Sequence, residues 1–154
     1  VAVTVAIESP LQDEVRALIA ALNDYLTPLS PEEFQFKMTV EQMAEPHTTV
    51  FIARDNEGRA VGCGALKVHD AAFGEVKRMF TLPEVRGQRA GSAILNTIEE
   101  AAREKGLSKL MLETGARDTM EPAHRLYERS GFVARGPFLD YPDSPYSAFF
   151  EKAL

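Results

Sequence analysis

The residues best suited to chemistry lie in one stretch, Val76-Lys77-Arg78-Met79-Phe80-Thr81-Leu82-Pro83-Glu84-Val85-Arg86-Gly87-Gln88-Arg89-Ala90-Gly91-Ser92. It reads as a strand, a basic glycine-containing loop and the start of a helix. A helix start presents unpaired backbone N–H groups and a partial positive charge, which suits a phosphate. Gly87 and Gly91 let a ligand approach the backbone, Arg86 and Arg89 add charge, and Ser92 adds a hydroxyl. The stretch has neither the G-x-G-x-x-G of a dinucleotide site nor the Gly-Lys-Ser/Thr ending of a P-loop. On these residues alone, a phosphate cradle and an ordinary solvated loop are equal readings.

The elements that must position this loop follow from periodicity. Val1 to Ile7 is rich in β-branched residues and predicts a strand. Ser9-Pro10-Leu11-Gln12 carries a capping Ser, a Pro for the first helical position and a Gln to close a capping box. Leu11, Val15, Leu18, Ile19 and Leu22 then form one apolar stripe. Ser30-Pro31-Glu32-Glu33 repeats that logic and predicts a second helical stretch, and Thr39 to Ala44 a short third. Strands follow at Thr48–Arg54 and Ala60–Val68 around the turn 55–58, then at Gly74–Thr81. Ala90 to Lys105 is an amphipathic helix stopped by Gly106. A short strand at Leu110–Glu113, a helix at Glu121–Ser130, and strands at Phe132–Ala134 and Ala148–Glu151 complete the chain. The expected fold is α/β (α+β): one mixed, mostly antiparallel central sheet flanked by helices, in a single domain over residues 1–154.

Composition narrows the partners. The chain has 154 residues, 45% hydrophobic and 26% charged, with a net charge of −6. Ordinary globular packing is expected, and nucleic acid and anionic membranes are not. No apolar run reaches the roughly 18 residues of a membrane span. Acidic residues and Pro10 come too early for a signal peptide, so a cytoplasmic location is the expectation. The chain opens at Val1 without an initiator Met. Local charge differs from the total: Lys77, Arg78, Arg86 and Arg89 face only Glu84, a balance of +3 over the loop. The acidity lies elsewhere, notably from Asp13 to Glu45 and in the Asp140–Asp143 tail. Cys63, the one cysteine, sits between Gly62 and Gly64 in an apolar strand and reads as a small buried residue rather than a nucleophile.

The segment Arg86-Gly87-Gln88-Arg89-Ala90-Gly91 resembles the [Q/R]-x-x-G-x-[G/A] loop of the GCN5-related N-acetyltransferase (GNAT) superfamily. His124-Arg125-Leu126-Tyr127-Glu128-Arg129-Ser130-Gly131-Phe132 is similar to that family's L-Y-E-x-x-G-F segment. The element order agrees over nearly the whole chain. The resemblance implies the acyl-CoA N-acyltransferase fold, acetyl-CoA as co-substrate, and transfer of an acetyl group directly to a primary amine of a small molecule or peptide. It also makes a homodimer a common state. A non-catalytic acyl-CoA-binding module is the alternative. Two positions depart from the pattern: Arg89 stands where the loop normally has Gly, and Met120 replaces a frequent Asn.

Roles follow from that reaction. An alkylammonium has a pKa near ~10.4, so only about one amine in a thousand is neutral near pH 7, and a base would help. Glu75, at the start of the strand before the loop, is the first candidate base. Period-2 alternation gives it the same face as Lys77, Met79 and Thr81; the competing reading makes it a solvated edge carboxylate or an ion-pair partner of Lys77 or Arg78. Glu113 is second and His124 third. Tyr127 is the candidate donor or contact for the leaving sulfur. The resemblance further implies that Met79, Phe80 and Thr81 offer backbone groups to the pantetheine arm, and that Arg86, Gly87, Gln88, Arg89, Ala90, Gly91 and Ser92 hold the pyrophosphate. The loop 137–146 either lines an acceptor pocket through Tyr141, Tyr146, Asp140 or Asp143, or packs on the sheet. Residues 26–39 are candidates for the opposite wall.

Overall fold

A computed structural model describes residues 2–70 and 72–154. The elements are β1 (Thr4–Ile7), α1 (Asp13–Leu26), α2 (Val40–Met43), β2 (Thr48–Arg54), β3 (Ala60–Val68), β4 (Phe73–Thr81), α3 (Ala90–Glu104), β5 (Lys109–Gly115), α4 (Glu121–Arg129), β6 (Val133–Arg135) and β7 (Ser147–Ala153). They build one seven-stranded sheet in the order β1-β2-β3-β4-β5-β7-β6. Every neighbouring pair is antiparallel except β4 and β5. This is the mixed, mostly antiparallel sheet that the sequence predicts.

Each face of the sheet carries its own core. Ile94, Leu95, Ile98 and Ala102 of α3 are buried against Phe51, Val61, Leu66 and Val76 on one face. Val15, Leu18, Ile19 and Leu22 of α1 pack with Ile52, Cys63, Ala65 and Phe80 on the other. Burial of one such aliphatic side chain is worth roughly 1.5–3 kcal/mol, so these two stripes fix both helices on the sheet. A third cluster, Met111, Phe138 and Phe149, lies under the loop before β7.

The structure corrects several local expectations. Helix α1 starts at Asp13, and Ser9 does not cap it. The Ser9 hydroxyl accepts instead from the Leu11 N–H, while the Gln12 amide donates to Glu8 and to the Ser9 carbonyl. Arg54 explains the difference: it gathers Glu8, Gln12 and Glu14 around its guanidinium, and Gln12 is drawn away from the helix end. Leu11 therefore leaves the apolar stripe and is 49% exposed. The predicted helix after Ser30 is only one 3-10 turn, Glu32–Phe34. The short piece near residue 40 does form, with a capping box in which Thr39 and Gln42 satisfy each other's backbone. Strand β1 begins at Thr4, and the predicted position of Val1 lies outside the described residues.

Strand β4 is bent by a bulge. Its register against β3 shifts between Ala65↔Lys77 and Cys63↔Phe80, and Arg78 there adopts a left-handed φ of 55°. One extra residue reverses the alternation beyond it. Met79 joins the α3 face and Phe80 the α1 face. The expectation that Glu75, Lys77, Met79 and Thr81 share one face is therefore wrong from Met79 onward.

The bulge also brings Met79 onto Gly64. A Cβ at Gly64 would stand 2.7 Å from Met79 Sδ and 2.8 Å from Ile94 Cγ2. Gly64 thus lets α3 lie close to the sheet beside the bulge. Gly64→Ala is expected to lower stability by about 1–3 kcal/mol through overpacking, read as a lower urea midpoint with unchanged m-value.

Candidate active site

The parallel pairing of β4 with β5 runs only from Phe73↔Lys109 to Val76↔Leu112. Beyond it the strands part, and β4 continues to Thr81 with β3 alone. The β5-facing edge of β4 is then left with polar backbone groups that need partners. Two cavities fill the gap. The larger, about 450 Å³, lies between the end of β4 and the starts of α3 and α4. The smaller, about 130 Å³, lies between β4, β5 and the segment 26–37. They share Leu22, Met79, Met120, Ala123 and Tyr127 in their walls, so they meet at Tyr127.

The larger cavity is lined by Met79, Phe80, Thr81, Arg86, Gly87, Arg89, Ala90, Gly91 and Ser92. Gln88 is absent from its wall; its side-chain amide donates to the Glu84 carbonyl at 3.3 Å. Gly87 has φ 84°, and Arg89, the residue preceding α3, has φ 65° and ψ 17°. The departure at position 89 is thus accommodated: an arginine takes the left-handed conformation that a glycine normally supplies, at a cost of roughly 1–2 kcal/mol. Two such residues turn the loop into the start of a fifteen-residue helix, whose free N–H groups suit an anion. Arg86, Arg89 and Arg129 line it, with the Arg86 guanidinium over the Tyr25 ring at 5.2 Å. These residues fit a long phosphorylated ligand.

Tyr127 is 6% exposed. Burial, reinforced by the charge of Glu113, pushes its phenol well above the ordinary range. Its ring packs edge-on against Phe132 with centroids 5.9 Å apart. Glu113, on β5 beyond the point of divergence, lines the smaller cavity. Burial raises its carboxyl to about 6, against the pull of Ser147 and Lys77.

Glu75 is placed differently. It is 2% exposed and lines neither cavity. Its carboxylate accepts from His69 Nε2 at 2.7 Å, from Lys77 Nζ at 3.3 Å and from the Tyr141 hydroxyl. The reading of Glu75 as partner to Lys77 is the one the geometry matches. His124 is buried, and its Nε2 donates to the Gly115 carbonyl at 2.8 Å. Cys63 is buried, its thiol pushed up to about 12 by desolvation, and its Sγ donates to the Arg78 carbonyl.

The loop 137–146 divides between its two readings. Phe138 and Tyr141 pack on the sheet, whereas Tyr146 lines the smaller cavity and lies against Phe34. Asp140 and Asp143 are exposed and outside the cavity wall. The segment 26–37 does form the opposite wall, held by Gln35, whose amide donates to the carbonyls of Leu26, Thr27 and Ser30. The charged residues that line this cavity are Lys37, Lys77, Arg78 and Glu113. Arg78 escaped sequence reasoning because alternation gives no hint of the bulge that turns it inward.

A family model described as "Acetyltransferase (GNAT) family" matches residues 16–132. The chain belongs to the GNAT acetyltransferase family. A relative named IAA acetyltransferase, from Azospirillum brasilense, is 44% identical over 153 residues, covering 99% of this chain and 98% of its own length. A solved structure from Klebsiella pneumoniae, assigned as an acyl-CoA N-acyltransferase, superposes with TM-score 0.85 at 34% identity, covering 99% of this chain and 97% of that one. A GNAT acetyltransferase from Elizabethkingia anophelis, with acetyl-CoA bound, shares the fold at TM-score 0.62 and 16% identity, over 99% of this chain and 98% of its own. The chain is therefore an acetyl-CoA-dependent acetyltransferase with an acyl-CoA N-acyltransferase fold. No helix among the described residues is long and apolar enough to cross a membrane.

Arg89→Gly separates the two roles of its position. The left-handed strain disappears and one cation is lost. Thermal unfolding of the free enzyme is expected to show a gain of about 1 kcal/mol, while acetyl-CoA affinity falls in a direct binding titration.

Proposed function

We propose that the enzyme transfers the acetyl group directly from acetyl-CoA to a primary amine, with Glu113 as base and Tyr127 at the leaving sulfur. The observation that carries this reading is the meeting of the two cavities at Tyr127, with Glu113 in the wall of the smaller one. The loop from Arg86 to Arg89 and the start of α3 hold the pyrophosphate. The unpaired edge of β4 from Met79 to Thr81 receives the amide-rich arm, and a backbone N–H there polarises the thioester carbonyl. The amine enters the smaller cavity between β5 and the segment 26–37.

In the transfer, the amine nitrogen forms a bond to the acetyl carbon and the carbon–sulfur bond breaks. The proton shed by the amine goes to Glu113. A carboxyl near 6 is ionised at neutral pH yet far more basic than an exposed one, which suits that task. The raised phenol of Tyr127 stays protonated. A thiol of pKa about 8.5 leaves readily as thiolate, so a hydrogen bond from Tyr127 stabilises it without full proton transfer. Arg89 adopts the backbone that the loop requires, which removes one footing for a module without turnover. The Glu75 cluster with His69, Lys77 and Tyr141 braces the floor beneath the acceptor cavity.

Two substitutions test the roles by release of free thiol from acetyl-CoA with a panel of amines. Tyr127→Phe keeps the packed ring and removes the donor; kcat is expected to fall about 10²-fold with little change in acetyl-CoA affinity. Unchanged kcat would remove Tyr127 from the chemistry.

For Glu113, the rate should decline as pH drops through about 6, and Glu113→Gln should abolish that limb and lower kcat/KM across the range. Stability should move the other way. The folded carboxyl titrates above its ordinary value, so the fold favours the neutral acid and loses stability as pH rises through the interval from about 4.5 to about 6. Glu113→Gln is expected to be more stable than the parent at pH 8 by on the order of 1–2 kcal/mol. A parent rate that stays flat down to pH 5 would exclude Glu113 as the base.

A further inference from the structure

Arg78 is 8% exposed and lines the smaller cavity beside Glu113 and Tyr127. Its left-handed backbone at the bulge places it against α1, where its guanidinium donates to the neutral Asn23 amide oxygen. Its Nε is buried without a hydrogen-bond partner. Among the described residues no carboxylate pairs with it, whereas arginines elsewhere, such as Arg54 and Arg117, each hold two carboxylates. A buried guanidinium without a counter-charge costs several kcal/mol of desolvation. A neutral side chain would reach Asn23 without that cost, so anchoring α1 does not account for an arginine here.

The rest of the wall has the same sign. Lys77 spends its charge on Glu75. Lys37 donates to the Thr27 hydroxyl and has no carboxylate partner among the described residues. Arg78 and Lys37 therefore stand against Glu113 alone. A plain alkylammonium would meet an uncompensated positive field on entering. A molecule bearing both an amine and an acid would bring the missing counter-charge with it.

We infer that the acceptor is a small amino acid-like molecule whose carboxylate is held by Arg78 while its amine faces Glu113. This rests on the direct-transfer reading above and deepens it. The guanidinium fork recognises a planar carboxylate through two parallel hydrogen bonds, and offers the same to a phosphonate or phosphinate oxygen pair. The cavity of about 130 Å³ suits such a molecule. Burial also pulls the Arg78 pKa down, the direction expected of a cation that awaits a partner.

The test is a matched panel followed by thiol release from acetyl-CoA: free α-, β- and ω-amino acids, the same compounds as carboxamides, and the corresponding amines without the acid. The acids are expected to be preferred by ~10²-fold or more in kcat/KM, because a site built for a charged group rejects analogues that lack it. In Arg78→Gln that preference should collapse towards unity. Arg78→Lys keeps the charge and loses the fork, and should raise KM for the acid about tenfold with kcat largely kept. If amides or acid-free amines are acetylated as fast as the acids, or if both variants retain the acid preference, the inference is overturned while direct transfer stands. If no amine in any set releases thiol, direct transfer fails and the inference falls with it.

Discussion

The parallel contact between β4 and β5 lasts four residue pairs and then ends, and the active site exists because it ends. A sheet that continued would satisfy its backbone groups internally and leave no room for substrates. Two features hold the gap open. On the β5 side, β7 pairs along the whole strand from Lys109 to Gly115, so β5 keeps its course without help from β4. On the β4 side, the bulge at Arg78 bends the strand while β3 continues to pair with it as far as Thr81. The same bulge sends Met79 to the α3 face and Phe80 to the α1 face, so both helices pack on the part of β4 that has left β5. Packing energy thus compensates the backbone pairing that the divergence forgoes.

Placing titratable groups in that gap has an electrostatic cost that shifts their protonation. Glu113 sits where desolvation raises its carboxyl, and burial, with the Glu113 charge as a second cause, pushes the Tyr127 phenol up. The effect runs one way: the Glu113 charge adds to the desolvation that disfavours the Tyr127 phenolate, while Glu113 itself is raised by its own burial. Glu75 shows the contrasting solution. It is more deeply buried, yet His69, Lys77 and Tyr141 surround it and offer three donors to its carboxylate. Burial alone does not make a carboxylate a base; the supply of donors around it decides.

The order of elements, both apolar helical stripes, the basic loop and Tyr127 are legible in the sequence because each rests on local periodicity or on a short motif. Arg89 is legible as a departure, and its left-handed conformation settles how the loop tolerates it. What local pattern misses depends on contacts far apart in the chain. The start of α1 shifts because Arg54, more than forty residues on, competes for the Gln12 side chain. Glu75 reads as facing a cleft because alternation is a local rule, and Tyr141, which closes over it, is 66 residues away. Arg78 reads as one cation of a basic run, since nothing in its neighbours marks the extra residue that turns it into the smaller cavity.

The net charge of −6 and the positive groove are two sides of one design. Arg86, Arg89 and Arg129 line the larger cavity, and Arg78, Lys37 and Lys77 the smaller. The exposed carboxylates lie elsewhere, many of them tied to arginines such as Arg54 and Arg117. A groove whose lining cations outnumber its one carboxylate, Glu113, within an acidic chain concentrates positive potential in the cleft. Such a field draws in anionic groups. With the pyrophosphate of one substrate at the α3 end and the acid of the other at Arg78, both would be anchored by charge at opposite ends. Their reacting atoms would then be left to meet between them, beside Tyr127. Anchoring remote charges so that uncharged reacting centres are aligned is how binding energy is turned into orientation, and in this fold it requires only one bulge and one helix start.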